Sequence, residues 1–201
     1  SVDASGTFAG LVAGIGASGD LTVGDITVDG ISAGTVGDLT ITLGQDADFS
    51  IGGVSARFAI GDITVTASAS ATVLLSAITS YSSTIGDVSI TAGNGAVASA
   101  AITAANGVGD ITLSGSGTFD LDVTLTKSAG AVGTIAILDG AKGSADIAYH
   151  SGTVGDITFA GHGFVLDLGS ARSVGDIAFS GGSAGSILVG AGSASVGEVT
   201  V

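Results

Sequence analysis

The sequence predicts an all-β chain wound as a parallel β-solenoid, and three observations predict it. First, a five-residue phrase recurs from end to end. It reads VGDIT at Val23, VGDLT at Val36, IGDIT at Ile60, IGDVS at Ile85 and VGDIT at Val108. It continues as VGTIA at Val132, VGDIT at Val154, VGDIA at Val174 and VGEVT at Val196. Second, from Gly37 onward the phrase glycines are 24, 25, 23, 24, 22, 20 and 22 residues apart, a period typical of stacked repeats. Third, the chain is 45% hydrophobic with mean hydropathy +0.70 and no proline. Much of that content is Val, Ile and Thr, which suit strands. The 201 residues then form one elongated domain of eight to nine coils of about 23 residues. Crossover chirality favours a right-handed winding. An antiparallel meander also fits turn signals every 8–12 residues, but stacking like on like explains why the same phrase returns at every second strand.

The first strand of each coil follows the phrase glycine. In Gly24-Asp25-Ile26-Thr27-Val28, Ile26 and Val28 share one face, and Asp25 and Thr27 the other. Equivalent inward pairs are Leu39/Ile41, Ile63/Val65, Val88/Ile90, Ile111/Leu113, Ile135/Ile137, Ile157/Phe159, Ile177/Phe179 and Val199/Val201. The apolar residue before the glycine is three positions from the next inward one, so strict alternation fails there. A corner with the glycine at positive φ restores it. A small polar turn comes next, then a second strand. The clearest is Thr118 to Thr126, with Phe119, Leu121, Val123 and Leu125 inward. Gly163 to Leu168 and Gly185 to Val189 hold the same phase. Gly, Ser and Ala then lead back to the next corner.

Half of the 18 acidic residues fall in or beside the phrase: Asp20, Asp25, Asp38, Asp62, Asp87, Asp110, Asp156, Asp176 and Glu198. Thr134 replaces the acid after Gly133. Most would stack in one file. Two carboxylates about 4.8 Å apart repel by about 0.9 kcal/mol in water and about 3.5 kcal/mol at an effective dielectric of 20. The file must be hydrated, hydrogen-bonded or bridged by cations. The preferred reading is that each Asp accepts backbone N–H groups at its own corner. The other is a calcium ladder through Asp38, Asp62, Asp87, Asp110, Asp156 and Asp176, although no GGxGxD run or EF-hand loop is present.

Net charge is −14, with Arg57, Lys127, Lys142 and Arg172 the only basic side chains besides two histidines. That excludes the basic patches that nucleic acid and anionic lipid require. Zero cysteine removes disulfides and thiolate metal sites. The stretch Ile63 to Gly86 is free of charge but dense in Ser and Thr, which argues against a membrane helix. At 4% aromatic residues there are too few for the girdles of a membrane barrel. If the chain is exported, Ser1 suits a mature start.

Enzyme chemistry is thin, and no cofactor is expected beyond the possible calcium. His150 and His162 could be drawn to Asp146 or Asp167, but Ser and Asp abound and the coincidence is weak. Asp120/Asp122 form a carboxylate pair without tryptophan or a long loop to build a cleft. Tyr81 and Tyr149 are the only tyrosines. Gly93-Asn94-Gly95 is a turn, not a phosphate loop. An outward Thr column (Thr27, Thr40, Thr64, Thr112, Thr158, Thr200) invites an ice-binding reading. Ser89, Ala136 and Ala178 interrupt it, and Asp lies beside it.

At class level the repeat grammar resembles exported bacterial β-solenoids, such as autotransporter passengers and adhesin repeats. The resemblance spans the chain and implies an extracellular or cell-surface location. Neither end carries a polar capping coil of the kind solenoids use. The chain stops at Val201, after a first strand, and Ser1 to Ala13 reads as a second strand without its first. Across a junction, Gly197 to Gly19 is one normal repeat. The expectation is a structural subunit that stacks head to tail on itself through Phe8, Leu11, Val199 and Val201, with no membrane insertion. The alternative is an adhesin-like segment with an acidic, calcium-binding face.

Overall fold

Alternation of apolar and polar residues fixes which side of every strand faces in. In Thr118–Leu125 each odd-numbered residue is buried and each even-numbered one exposed, so the expected inward set Phe119, Leu121, Val123 and Leu125 holds. The computed structural model describes residues 2–4, 7–23, 26–28, 34–148, 152–180, 184–190 and 195–201, with the backbone alone for 2–4 and 26–28. Among them there is no helix, and every strand pair is parallel. The chain is a β-solenoid of about seven turns, about 24 residues apart. This is fewer than the expected eight to nine, because not every phrase opens a turn of its own.

Two sheets run the length of the stack, and a third joins them from Thr84 onward. The first face has nine strands, from Thr7–Ile15 through Ile63–Ala67 and Ile111–Ser114 to Val199–Thr200. The second face has eleven, among them Thr72–Ser80, Val97–Ala104 and Thr118–Leu125. A narrow six-stranded sheet of two-residue strands, such as Gly107–Val108, precedes the phrase glycines from Gly86 to Gly197. Register on the first face is unbroken: Leu39, Ile63, Val88, Ile111 and Ile135 lie on one another, as do Ile41, Val65, Ile90, Leu113 and Ile137. Like stacks on like, which is why the phrase repeats.

The core is one continuous apolar column. Ser80 is the one buried polar residue among those described, and its hydroxyl donates to the Phe58 carbonyl. Where rings enter, glycine makes room. Phe119, Gly143, Phe164 and Gly185 follow one another on the second face. A Cβ on Gly185 would meet the Phe159 ring at 2.7 Å. That ring packs edge-on to Phe164 at 6.3 Å and tilted to Phe179 at 5.4 Å.

Positive φ lies elsewhere than expected. Among the described residues no phrase glycine adopts it. It falls in the polar turn that leaves the first face, at Ser18, Asp46, Ser70 and Gly95 (φ 56, 53, 59 and 73°), and within strands at Gly10, Gly143 and Gly163. These turns are stapled to one another through Ser18 N–H to Gln45 O, Asp46 N–H to Ala69 O and Ser70 N–H to Asn94 O.

The first coil overturns two expectations. Thr7–Ile15 belongs to the first face, with Leu11 on Leu39 and Ala13 on Ile41, so the N-terminal segment is not a second strand. The phrase at Val23 is not a corner of the file, since Ile26–Val28 pairs with Val54–Ala56 on the second face. Asp20 likewise pairs with Asp48 there. This coil is 28 residues long, and the extra length makes two second-face strands out of phrase-like sequence. The junction count to Gly19 therefore does not measure a coil.

Candidate functional surfaces: the aspartate file, the threonine face and the end rungs

The expected file of acids exists, and its geometry explains the phrase. Oδ1 of Asp38 accepts the backbone N–H of Asp62 at 3.0 Å, Asp62 that of Asp87 at 2.9 Å, and Asp87 that of Asp110 at 2.8 Å. Asp110 accepts from Thr134 at 2.7 Å, Asp156 from Asp176 at 2.9 Å and Asp176 from Glu198 at 2.7 Å. Each carboxylate thus bonds the following coil, not its own corner as the sequence suggested. The glycine N–H of the corner reaches carbonyls of the coil beneath, but the N–H of the following acid reaches none. The carboxylate supplies the missing acceptor, in a short, charge-assisted bond. The same Asp residue holds the coil beneath through its carbonyl, as in Leu39 N–H to Asp62 O and Ile63 N–H to Asp87 O, both 2.8 Å.

Glycine before the acid is now a steric requirement. A Cβ on Gly61, Gly86, Gly109, Gly133, Gly175 or Gly197 would fall onto the Oδ1 of the preceding coil's Asp. Each Gly-Asp pair receives one carboxylate and gives another. Thr134 receives but cannot give, so among the described residues the Asp156 N–H has no acceptor. Asp38 lies on Gly10, which has no side chain to offer. Asp20 is outside the file, and Asp25 and His150 lie outside the described residues.

A second acidic column runs along the second face, where Asp122, Asp146 and Asp167 pair in register. Partial burial, then the charges of Asp167 and Asp122, push the Asp146 carboxyl above its ordinary range. Asp167 also bonds its own turn through Gly169 N–H at 2.9 Å. Asp120 and Asp122 are both exposed on one flat strand. A shallow hollow of about 300 Å³ lies between Asp20, Thr22, Asp48, Ser50 and Thr72. Among the described residues, no three His, Cys, Asp or Glu side chains converge as metal ligands.

The outward threonine column is in place as Thr40, Thr64, Ser89, Thr112, Ala136, Thr158, Ala178 and Thr200. Thr27 pairs with Ser55 and is not in it. A companion column went unnoticed in the sequence: Thr42, Thr66, Thr91 and Ser114. It could have been found by reading each phrase two residues further.

At the end rungs, Phe8 and Leu11 are half-buried under Val36 and Leu39. At the other end Val196, Val199 and Val201 are 42%, 55% and 100% exposed. Val196 and Val199 continue the inward columns of Val174 and Ile177.

Comparison with protein-family profiles, curated proteins and solved structures finds no match.

Proposed function

We propose that this chain is a structural subunit, exported to the cell surface or beyond, that stacks head to tail on copies of itself to form a filament. The observation that carries this reading is that each coil presents the same inward columns to its neighbour, so the surface of one coil matches that of another. Phe8 and Leu11 occupy the same inward columns as Val196 and Val199. Laying such a coil of one copy on that of another continues the core and the strand ladder, which drives association. The contact is heterologous and does not close, so it propagates as a fibre.

Electron microscopy and sedimentation of the purified 201-residue chain test this. Expected are fibres one solenoid wide that lengthen with concentration, and monomers with intact β-sheet circular dichroism for Val199→Asp. A wild-type chain that stays monomeric at high concentration refutes the proposal. The second acidic column favours one other reading, an adhesin-like segment that uses calcium on its lateral face. A rise in melting temperature with calcium, lost in Asp146→Asn, would select it.

A further inference from the structure

We infer that the first face is an ice-binding surface. Its strands Thr35–Leu43, Ile63–Ala67, Val88–Ala92 and Ile111–Ser114 present two adjacent outward files. Thr40, Thr64, Ser89 and Thr112 form one; Thr42, Thr66, Thr91 and Ser114 form the other. The result is a two-dimensional lattice of hydroxyls and methyls. Its repeats are about 4.8 Å across the strands and about 6.7 Å along them. Water molecules on the exposed faces of hexagonal ice repeat at distances close to both.

Four further features suit a crystalline water ligand. The lattice is regular: register is unbroken over these four strands, whereas the second face slips between Ala100 and Ile102. The side chains are stiff, because a β-branched threonine has few χ1 states on a strand. The hydroxyls are available: among the described residues those of Thr40, Thr42, Thr64, Thr66 and Thr112 make no protein hydrogen bond. No charge interrupts the strands from 39 to 43, 63 to 67, 88 to 92 and 111 to 114. The aspartates stand along one border, each with an oxygen tied to the next coil. Waters caught between stiff methyls and anchored by free hydroxyls are held at the lattice repeats. The patch ends at Ser114, whose hydroxyl turns to Thr91 at 2.9 Å, and Ala136 then continues the first file.

The inference does not depend on filament formation, and the experiment separates the two. The monomeric Val199→Asp chain is frozen slowly onto a cold finger, and the protein in ice and liquid is measured. Inhibition of ice recrystallisation is followed in parallel. Expected is enrichment in the ice, abolished by Thr66→Tyr with Thr91→Tyr and retained by Thr103→Tyr with Thr124→Tyr, a matched pair on the second face. Circular dichroism melting checks each fold. If tyrosine disrupts the coil, Thr66→Lys, which keeps its charge in solvent, replaces it. Exclusion of the parent chain from ice, as for an unrelated globular protein, overturns the inference. Equal retention by the first-face and second-face variants overturns it too.

Discussion

At the scale of single residues, the phrase is a lock of two parts held by successive coils. Gly109 provides the space and Asp87 fills it. Gly109→Ala is expected to destabilise by about 1–3 kcal/mol, as overpacking does. Asp87→Ala removes one charge-assisted bond at an exposed corner and costs about 1 kcal/mol. The two should not add, because the second relieves part of the clash caused by the first. Backbone atoms of Gly86 and Asp87, 2.9 and 3.0 Å from the added Cβ, keep the rest. Urea melts of the four chains in this cycle measure the coupling. Asp146 allows a pH prediction. Its carboxyl is raised by partial burial and by Asp167 and Asp122, so the folded chain binds that proton more tightly than the unfolded chain. Its contribution is full below the ordinary carboxylate pKa and is lost as pH rises through the raised one. Asp146→Asn should therefore melt higher at neutral pH, by less than about 1 kcal/mol at this exposed site. The gain should vanish below about pH 4.

At the scale of the strand and corner, the period and the inward set were legible because they obey rules local to one coil. Phe119, Leu121, Val123 and Leu125 alternate, and alternation needs no knowledge of neighbours. What was not legible depends on the coil below. The glycine of the phrase reads as a conformational device when one coil is considered alone. It is a vacancy for the preceding coil's carboxylate when two are. The first coil misled for a related reason: GDLTV and VGDIT at residues 19–28 carry the grammar of a first-face strand, but the pairing with 48–51 and 54–56 places them on the second. Thr134 supplies the test at this scale. Gly155 is already small and the Asp156 N–H has no described acceptor. Thr134→Asp should fill the gap and stabilise by about 0.5–1.5 kcal/mol. It should be assayed at moderate salt, where repulsion along the file is screened.

For the whole molecule, stability is a sum over coils and the contacts between neighbours. The file of acids contributes at almost every contact, and what neutralises it decides how the rod responds to solution conditions. Backbone N–H groups already occupy one oxygen of each of Asp38, Asp62, Asp87, Asp110, Asp156 and Asp176. A chelator is therefore expected to leave the melting temperature unchanged, and millimolar calcium to raise it little, since only preferential binding to the folded chain shifts it. Differential scanning calorimetry with and without chelator decides the point. A large drop would make the file a calcium ladder after all.

The Gly-Asp pair also bears on how such a rod grows over generations. A stretch from Asp87 to Gly109 begins with a carboxylate and ends with the space for one. Copied in tandem, its first residue would serve the new coil and its last would accept from the old. Unequal recombination inside the gene could thus lengthen the protein by whole coils without a single compensating substitution. The near-identity of the phrases along the chain is what such a history would leave behind.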